Sequence, residues 1–284
     1  MLPLFLLLTV LYIGPGSKVQ LVLELAIKMK RIDLNCDMGE LPDAIADGTQ
    51  EALMRSVTSV NIACGGHAGD EGTMKTTIEQ ALRAGVAIGA HPGYPDRENF
   101  GRLELQMPPD KLAESVCEQI LALAKITEEC GARIVHVKPH GALYNQAVRN
   151  RDLAEAIAEG VGRWRRDVVL VGLADSLMLE VFRKAGFVVA AEAFADRRYE
   201  PDGTLRPRKF ENALIRDPEQ AGRQALSMVE RRVVVAWDGT EVAVNAQTLC
   251  IHGDTPGAPE ITATVARALR EAGIRVCGLS RAGN

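Results

Sequence analysis

The feature that most constrains the fold of this chain is the repeated succession of a short apolar run and a polar cluster rich in glycine. Four of the five histidines lie in such clusters, and each cluster ends an apolar run. The clusters with histidine comprise residues 61–70, 89–96, 137–145 and 249–254, and a fifth cluster without histidine comprises residues 33–40. Barrel enzymes carry their chemistry on the loops that leave the carboxyl ends of the strands. The five clusters therefore predict one converging site.

Eight runs rich in valine and isoleucine are predicted to be strands. They comprise residues 31–36, 59–64, 86–90, 134–137, 168–172, 188–193, 233–236 and 248–251. Their apolar residues do not alternate strictly, which is typical of parallel strands that are buried on both faces. Helical patterns lie between them, for example at Leu112, Val116 and Ile120. Strand and helix therefore alternate along the chain, which predicts a single α/β domain with a (β/α) barrel. A doubly wound open sheet is the alternative.

Two polar segments interrupt this alternation. Residues 196–212 contain the turn Pro201-Asp202-Gly203 and are predicted to form a hairpin or a long loop over the site. Residues 237–240, Trp-Asp-Gly-Thr, form a second predicted turn, which joins the preceding strand to residues 242–245.

The first 28 residues do not fit the barrel pattern. Two apolar runs, 1–13 and 19–27, are separated by Gly14-Pro15-Gly16. They lack the basic start of a secretory signal and are too short for a convincing membrane span. Residues 29–31, Met-Lys-Arg, followed by a strand are typical of a cytoplasmic amino terminus. We therefore interpret residues 1–28 as an extension from a misplaced start and residues 29–284 as the barrel domain. A chain that begins at Met29 is expected to be as stable as the full one.

Composition narrows the classes of function. The formal net charge is −4, and no basic region is large enough to predict nucleic-acid binding. The six cysteines form no C-x-x-C pair and no pattern typical of a disulfide framework. We therefore expect a cytoplasmic protein that acts on a small molecule, without a nucleic-acid or membrane partner.

Acidic and histidine residues follow the first two predicted strands. Asp37 and Glu40 lie at the end of the first, where two carboxylates can divide the roles of acid and base or share a metal. A helix cap and a surface acid are the structural alternative. His67 and Asp70 follow a pair of glycines, which let the backbone approach a ligand closely. Asp70 would also be a good N-cap for a helix that begins near residue 71, so both interpretations stay open.

The next two clusters add cationic and histidine candidates. His91 lies in a loop with two prolines, and rigid loops hold side chains in register. Arg102 follows and could bind a carboxylate or phosphate through two hydrogen bonds. Lys138 leaves a buried strand shortly before His140, so it needs an anionic partner. That partner could be a substrate anion or a carboxylate of the protein, with Glu192 among the candidates.

Further polar residues near strand ends are predicted to bind substrate. They are Asn35, Asn61, Arg102, Asn145, Glu192, Asp196, Arg197, His252 and Asp254. His136 is predicted to lie on the side of its strand opposite to the neighbours of Lys138, in the core or against a helix. The sequence has no phosphate-binding loop, no H-x-x-x-H pair and no G-x-S-x-G elbow. We therefore predict no metal ligand and no tightly bound cofactor.

Six ordered motifs resemble those of the LamB/YcsF family. They are DLNCDMGE, NIACGGHAGD, GAHPGYPD with FGR, VKPHGALYN, EAFADRRYEPDGTLRPR and CIHGD, and the resemblance extends from residue 29 to about residue 276. It implies a seven-stranded TIM-like (β/α) barrel related to sugar hydrolases and polysaccharide deacetylases. One of the eight predicted strands should then lie in a hairpin near residues 233–245. The metal triad of the deacetylases is not reproduced, because residue 71 is a glutamate where their second histidine would lie.

The resemblance also implies an activity. Members of the family act as the A subunit of a bacterial 5-oxoprolinase, which converts 5-oxo-L-proline into L-glutamate, with ATP and Mg²⁺ as co-substrate, together with subunits B and C. Phosphorylation of the lactam oxygen would make carbon 5 electrophilic, and water could then open the ring. The residues that suit such a reaction are Asp37, Glu40, His67, Asp70, His91, Lys138 and His140. The alternatives are a metal-dependent hydrolase of amides or sugar amides that acts alone, and a subunit that only binds substrate.

Overall fold

The computed structural model describes residues 30–279, so the interpretation of residues 1–28 lies outside the described chain. Its strands in chain order are β1 (Arg31–Met38), β2 (Ser59–Ala63), β3 (Ala87–His91), β4 (Ile134–Val137), β5 (Val169–Leu173), β6 (Val188–Phe194), β7 (Val233–Val235), β8 (Glu241–Ala243), β9 (Thr248–Cys250) and β10 (Arg275–Val276). Strands β1 to β6 and β9 form a parallel sheet. β9 pairs with both β6 and β1, which closes the sheet. The closure confirms the seven-stranded barrel and excludes the open-sheet alternative.

The other two predictions about strands are also confirmed. β7 and β8 form an antiparallel hairpin outside the barrel, so the surplus strand lies where the resemblance placed it. The segment after β6 folds back on itself through bridges between Tyr199 and Leu205 and between Arg197 and Leu214. Five residues of this segment line the cavity at the end of the barrel: Arg197, Thr204, Leu205, Pro207 and Arg208.

Helices cover the outside of the barrel. They are α1 (Pro42–Ala46), α2 (Thr49–Met54), α3 (Glu71–Ala84), α4 (Pro109–Glu129), α5 (Gly141–Ala147), α6 (Arg151–Trp164), α7 (Leu177–Lys184), α8 (Pro218–Leu226) and α9 (Ala258–Glu271). The predicted apolar positions Leu112, Val116 and Ile120 of α4 are fully buried. Since apolar residues three or four apart share one face of a helix, the longer helices each bury one stripe against the strands, whereas the short α1 has no buried residue.

The inside of the barrel is polar. Alternate residues of a strand share one face, so Asp33, Asn35 and Asp37 of β1 all point inward, whereas Leu34 and Cys36 point to the helices. Near the amino ends of the strands, Ser59 and Thr248 donate hydrogen bonds to Asp33 at 2.8 and 2.5 Å. The buried polar residues therefore form a connected network below the site.

His136 belongs to this network and is fully buried, which confirms the prediction of a core histidine and not that of a helix contact. It lies two residues before Lys138, so the two side chains share the inner face of β4. His136 Nε2 lies 2.7 Å from Asn61 Oδ1. A Cβ atom at Gly89 would lie 2.0 Å from His136 Nε2, so the imidazole fits only because residue 89 has no side chain. Burial lowers the pKa of His136 to about 3, so it is neutral at neutral pH.

We expect Asp33 to make folding less favourable as the pH rises. Burial raises its pKa to about 6 from the usual 3.8, even though three hydroxyl groups donate to it. The unfolded chain therefore releases this proton at a lower pH than the folded chain. In Asp33→Asn, the free energy of unfolding relative to the wild type should rise by up to about 3 kcal/mol between about pH 4 and pH 7. Urea unfolding across this range measures the difference, and parallel curves for the two proteins would contradict it.

Candidate active site

A cavity of about 480 Å³ lies at the carboxyl ends of the strands. This volume suits a small-molecule substrate. The residues predicted from the sequence that line it are Asp37, Glu40, His91, Arg102, Lys138, His140, Asn145, Arg197, His252 and Asp254. Residues from the ends of β1, β3, β4, β6 and β9 therefore converge as the sequence predicted.

Lys138 lies at the floor of the cavity between two carboxylates. Its Nζ atom is 3.0 Å from Asp37 Oδ1 and 3.0 Å from Glu192 Oε1, which confirms the expected carboxylate partners. The side chain is only 3% exposed. Burial alone would lower the pKa of Lys138, but the neighbouring anionic groups raise it well above its usual value. Lys138 is therefore a fixed positive charge in a nearly dry environment.

Asp37 is held as a carboxylate. Asn61 Nδ2 donates to its Oδ1 atom at 2.8 Å, and His91 Nε2 lies 3.3 Å from its Oδ2 atom. Burial alone would raise the pKa of Asp37, but His91 and Lys138 lower it well below its usual value. Asp37 thus presents a negative charge to the cavity at neutral pH.

Two histidines from neighbouring strands face each other beside Asp37. His91 Nε2 and His140 Nδ1 are 2.9 Å apart. His91 Nδ1 lies 2.8 Å from the carbonyl oxygen of Lys138, and His140 Nε2 lies 2.9 Å from that of Phe100. A carbonyl oxygen can only accept, so these outer nitrogens donate. The inner nitrogens, Nε2 of His91 and Nδ1 of His140, are the ones left to bind a proton, a metal or a substrate group.

Glu40 reaches the same point from the loop after β1. Its Oε1 atom is 2.9 Å from His67 Nε2 and 3.2 Å from His140 Nδ1. Burial alone would raise the pKa of Glu40, but these two histidines lower it well below its usual value. Burial lowers the pKa of His67 to about 4, so His67 is neutral and donates to Glu40. The metal-binding atoms of Glu40, His67, His91 and His140 all lie within 4.8 Å of one another.

The opposite wall of the cavity carries arginines. Arg197 is 5% exposed, and its Nη2 atom donates to the carbonyl oxygen of Arg206 at 2.7 Å. Within residues 30–279, its buried Nε atom has no hydrogen-bond partner. Burial and the charge of Arg208 lower the pKa of Arg197 to about 10, so it is still a cation at neutral pH. A buried guanidinium with a free donor suits the binding of an anion.

Asp254 and His252 lie at the rim of the cavity, next to these arginines. Asp254 binds Arg102 at 2.6 Å and Arg208 at 3.1 Å, so both cations are already paired. His252 Nδ1 lies 3.1 Å from Asp196 Oδ1. Asp196 is fully buried, so it positions His252 from below and does not itself reach the cavity.

Several predicted residues lie outside the cavity surface. Asn35, Asn61 and Glu192 are in the barrel interior, where they hydrogen-bond to one another and to Lys138. The structure thus places them as supports below the site, although the sequence assigned them to substrate contact. Asp70 is exposed and caps α3, because it accepts a hydrogen bond from Thr73 N at 2.8 Å. The structure therefore shows Asp70 as the N-cap of this helix, which is one of the two interpretations of the sequence.

Sequence reasoning missed other residues of the cavity wall. They are Glu104, Tyr144, Arg149, Phe194, Thr204, Leu205 and Arg208. Tyr144 belongs to the same cluster as Lys138 and His140, so its position in that cluster was a usable signal. Arg208 lies in a basic segment that also fits a solvated surface, and only the fold-back of residues 196–212 brings it to the site.

Comparison with known proteins assigns the family. The sequence profile of the LamB/YcsF family matches residues 32–283. The chain belongs to the LamB/YcsF family. It is 49% identical to the A subunit of 5-oxoprolinase from Chloroflexus aggregans over 248 residues, which are 87% of this chain and 98% of that protein. It is 47% identical to the A subunit of 5-oxoprolinase from Heliobacterium modesticaldum over 246 residues, which are 87% of this chain and 97% of that protein.

A crystal structure supports the fold of this LamB/YcsF protein. The lactam utilization protein from Thermus thermophilus superposes with a TM-score of 0.82 and is 44% identical, covering 88% of this chain and 100% of that one. Among residues 30–279, no helix has the length and apolar character that crossing a bilayer requires.

Proposed function

We propose that this chain is the A subunit of a 5-oxoprolinase and opens the ring of 5-oxo-L-proline to give L-glutamate. The observation that supports this most is the convergence of a carboxylate, two facing histidines and a buried lysine on one small cavity. The names of the relatives agree with this reaction. The residues offer a base, an acid and a fixed cation, which are what opening of an activated lactam requires.

In the proposed reaction, the γ-phosphoryl group of ATP is transferred to the lactam oxygen with release of ADP, and water then attacks carbon 5. Cleavage of the carbon–nitrogen bond gives γ-glutamyl phosphate, which a second water hydrolyses to L-glutamate and phosphate. Asp37 or Glu40 takes the proton from the water. His91 or His140 gives a proton to the ring nitrogen as the carbon–nitrogen bond breaks. Lys138 stabilises the negative charge that develops on the oxygens. These roles require that the substrate reach the cavity floor, where all five side chains lie.

The proposed enzyme includes subunits B and C, because the relatives are named as one subunit of a larger enzyme. We assign ATP with Mg²⁺ to the assembled enzyme and not to this chain alone, since the sequence has no phosphate-binding loop. A cytoplasmic location agrees with the structure, in which all six cysteines are free thiols.

The decisive experiment is a coupled assay of ATP hydrolysis and glutamate release. It is run with this chain alone, with subunits B and C alone, and with all three together. Glutamate should appear only with all three and only with ATP. Release of glutamate, or of the product of hydrolysis of another amide, by this chain without ATP would favour the alternative of a metal-dependent hydrolase that acts alone. Undiminished turnover with subunits B and C alone would assign the chemistry to those subunits.

We expect Arg197 to bind the substrate carboxylate. Arg197→Lys keeps the charge but removes the Nε donor, so KM for 5-oxoproline should rise about tenfold or more, with a smaller change in kcat. The control is Arg163→Lys, because Arg163 is exposed on α6 and forms an ion pair with Glu159 on the same helix. Steady-state kinetics of the assembled enzyme measure both constants. An unchanged KM in a folded Arg197→Lys variant would contradict the assignment.

A further inference from the structure

The two facing histidines create an electrostatic problem inside the protein. In the neutral form, His91 Nε2 and His140 Nδ1 both carry lone pairs, because the other nitrogen of each ring donates to a backbone carbonyl. These lone pairs point at each other across 2.9 Å. The oxygen atoms of Glu40 and Asp37 add negative charge at the same point, at 3.7 and 3.3 Å from His91 Nε2. A proton or a metal cation between these atoms makes the arrangement favourable.

The charges around this point are also unbalanced. Asp37, Glu40 and Glu192 surround one cation, Lys138, and all four side chains are at most 9% exposed. With neutral histidines, the group carries two more negative than positive formal charges. Buried charge without compensation is costly, so the site favours an additional cation. A divalent ion would balance it.

The donor atoms are spaced as metal ligands are. Glu40 Oε1 is 3.2 Å from His140 Nδ1 and 3.7 Å from His91 Nε2, and the two nitrogens are 2.9 Å apart. Ligands bound tetrahedrally to zinc at about 2.0–2.1 Å lie roughly 3.3–3.4 Å from each other. Metal-bound histidines also donate their second N–H to a carbonyl or carboxylate, as both rings do here.

We propose that His91 Nε2, His140 Nδ1 and a carboxylate oxygen of Glu40 bind one divalent transition-metal ion. Two imidazoles and a carboxylate suit Zn²⁺ and related ions. With three protein ligands, a further position faces the cavity, where the ion would lower the pKa of a bound water. Binding of the ion does not depend on the proposed reaction, whereas its role as the source of the attacking water rests on it. With the ion bound, Asp37 and not Glu40 would be the base, and His91 and His140 would be ligands and not proton donors.

His67 is assigned to the support of Glu40 and not to the ion. Its ring is stacked on that of His140, with centroids 3.6 Å apart and planes within 3°. Two parallel rings at this distance cannot both direct their in-plane lone pairs at one ion. His67 Nε2 instead donates to Glu40 Oε1 at 2.9 Å, which orients the carboxylate. Such supporting hydrogen bonds strengthen metal binding.

A second group of ligand-type residues, Asp37, Cys250 and His252, is a weaker candidate. Lys138 Nζ already contacts Asp37 Oδ1 at 3.0 Å and Cys250 Sγ at 3.1 Å. The Nδ1 atom of His252 already contacts the carboxylate of Asp196. An ion here would have to displace the ammonium group, so His252 serves as the control residue.

The test measures metal binding by the full chain, without an affinity tag and without partner subunits. Protein stripped with a chelator is titrated with ZnCl₂ in a calorimeter, and Co²⁺ is added to a second sample to record its visible spectrum. We expect one ion per chain and a Co²⁺ spectrum typical of four or five ligands. His91→Asn and His140→Asn should each weaken binding at least about 100-fold, and His67→Phe should weaken it about tenfold. His252→Asn should bind like the wild type.

Two results would overturn the inference. The first is a folded wild-type protein that binds no stoichiometric ion. In that case a proton, and not a metal ion, would lie between the two histidine nitrogens. The second is loss of binding in His252→Asn with retention in folded His91→Asn and His140→Asn. Because neither measurement uses ATP, 5-oxoproline or the partner subunits, failure of the metal site and failure of the proposed reaction are distinguishable.

Discussion

An Asp37→Asn variant is expected to keep the barrel and to lose 5-oxoproline-dependent turnover by roughly 10²–10⁴-fold, the usual contribution of a positioned acid or base. Asparagine retains the shape of aspartate, so its side-chain oxygen can still accept the hydrogen bond from Asn61. It has no charge, so it can neither take a proton from water nor balance Lys138. Glu192 still neutralises the ammonium group, which is why the fold should survive.

The measurement is turnover by the assembled enzyme, with 5-oxoproline binding recorded separately by calorimetry. Loss of turnover with binding retained indicates a catalytic role, whereas loss of binding alone would favour the subunit that only binds substrate. Asp70→Asn is the matched control, because Asp70 caps α3 and asparagine is an equally good N-cap. Normal turnover in folded Asp37→Asn would refute its role, and a large loss in Asp70→Asn would refute the interpretation of Asp70 as a cap.

The convergence of the site could be predicted from the sequence, because parallel strands end on the same side of a barrel. Asp37, His91, Lys138 and His252 each follow or end a different strand. Once the strands were recognised, the face on which their side chains meet was fixed. The hairpin near residues 233–245 was identified from the family resemblance, because it implied seven barrel strands where eight had been predicted.

The distances within the site could not be predicted, because they depend on contacts between distant segments. His91 and His140 are 49 residues apart, and no local spacing indicates that their nitrogens meet. For the same reason, no sequence pattern indicates the proposed metal site, whose ligands come from three different parts of the barrel. His136 was correctly predicted to lie in the core, but its contact with Asn61 likewise joins distant segments and could not be predicted.

The depth of each polar residue within the barrel could not be predicted from the sequence either. Asn35, Asn61 and Glu192 occur near strand ends and have the chemistry of substrate ligands. They nevertheless lie one layer below the cavity, because their strands are tilted and staggered in the closed barrel. Their contacts with Lys138 and Asp37 explain why polar side chains persist in such a deeply buried position.

A Lys138→Met variant is expected to lose at least about tenfold in ATP-dependent turnover, which corresponds to about 1.4 kcal/mol of transition-state stabilisation. Methionine fills most of the same volume but removes the only ammonium group in contact with Asp37 among residues 30–279. Asp37 and Glu192 then face each other without a cation, so the pKa of Asp37 should rise. The oxygens that gain negative charge during ring opening also lose their fixed counter-charge.

Two controls make this result interpretable. Lys111→Met removes an exposed lysine that forms an ion pair with Glu114 on α4, and it should have normal turnover. Circular dichroism and the melting temperature of Lys138→Met show whether the barrel is intact, because removing one member of a buried ion network can cost about 3–5 kcal/mol. If the folded variant supports near-normal turnover with subunits B and C, Lys138 only holds Asp37 and Glu192 together. A selective loss of turnover would instead establish that the charge acts on the reacting substrate.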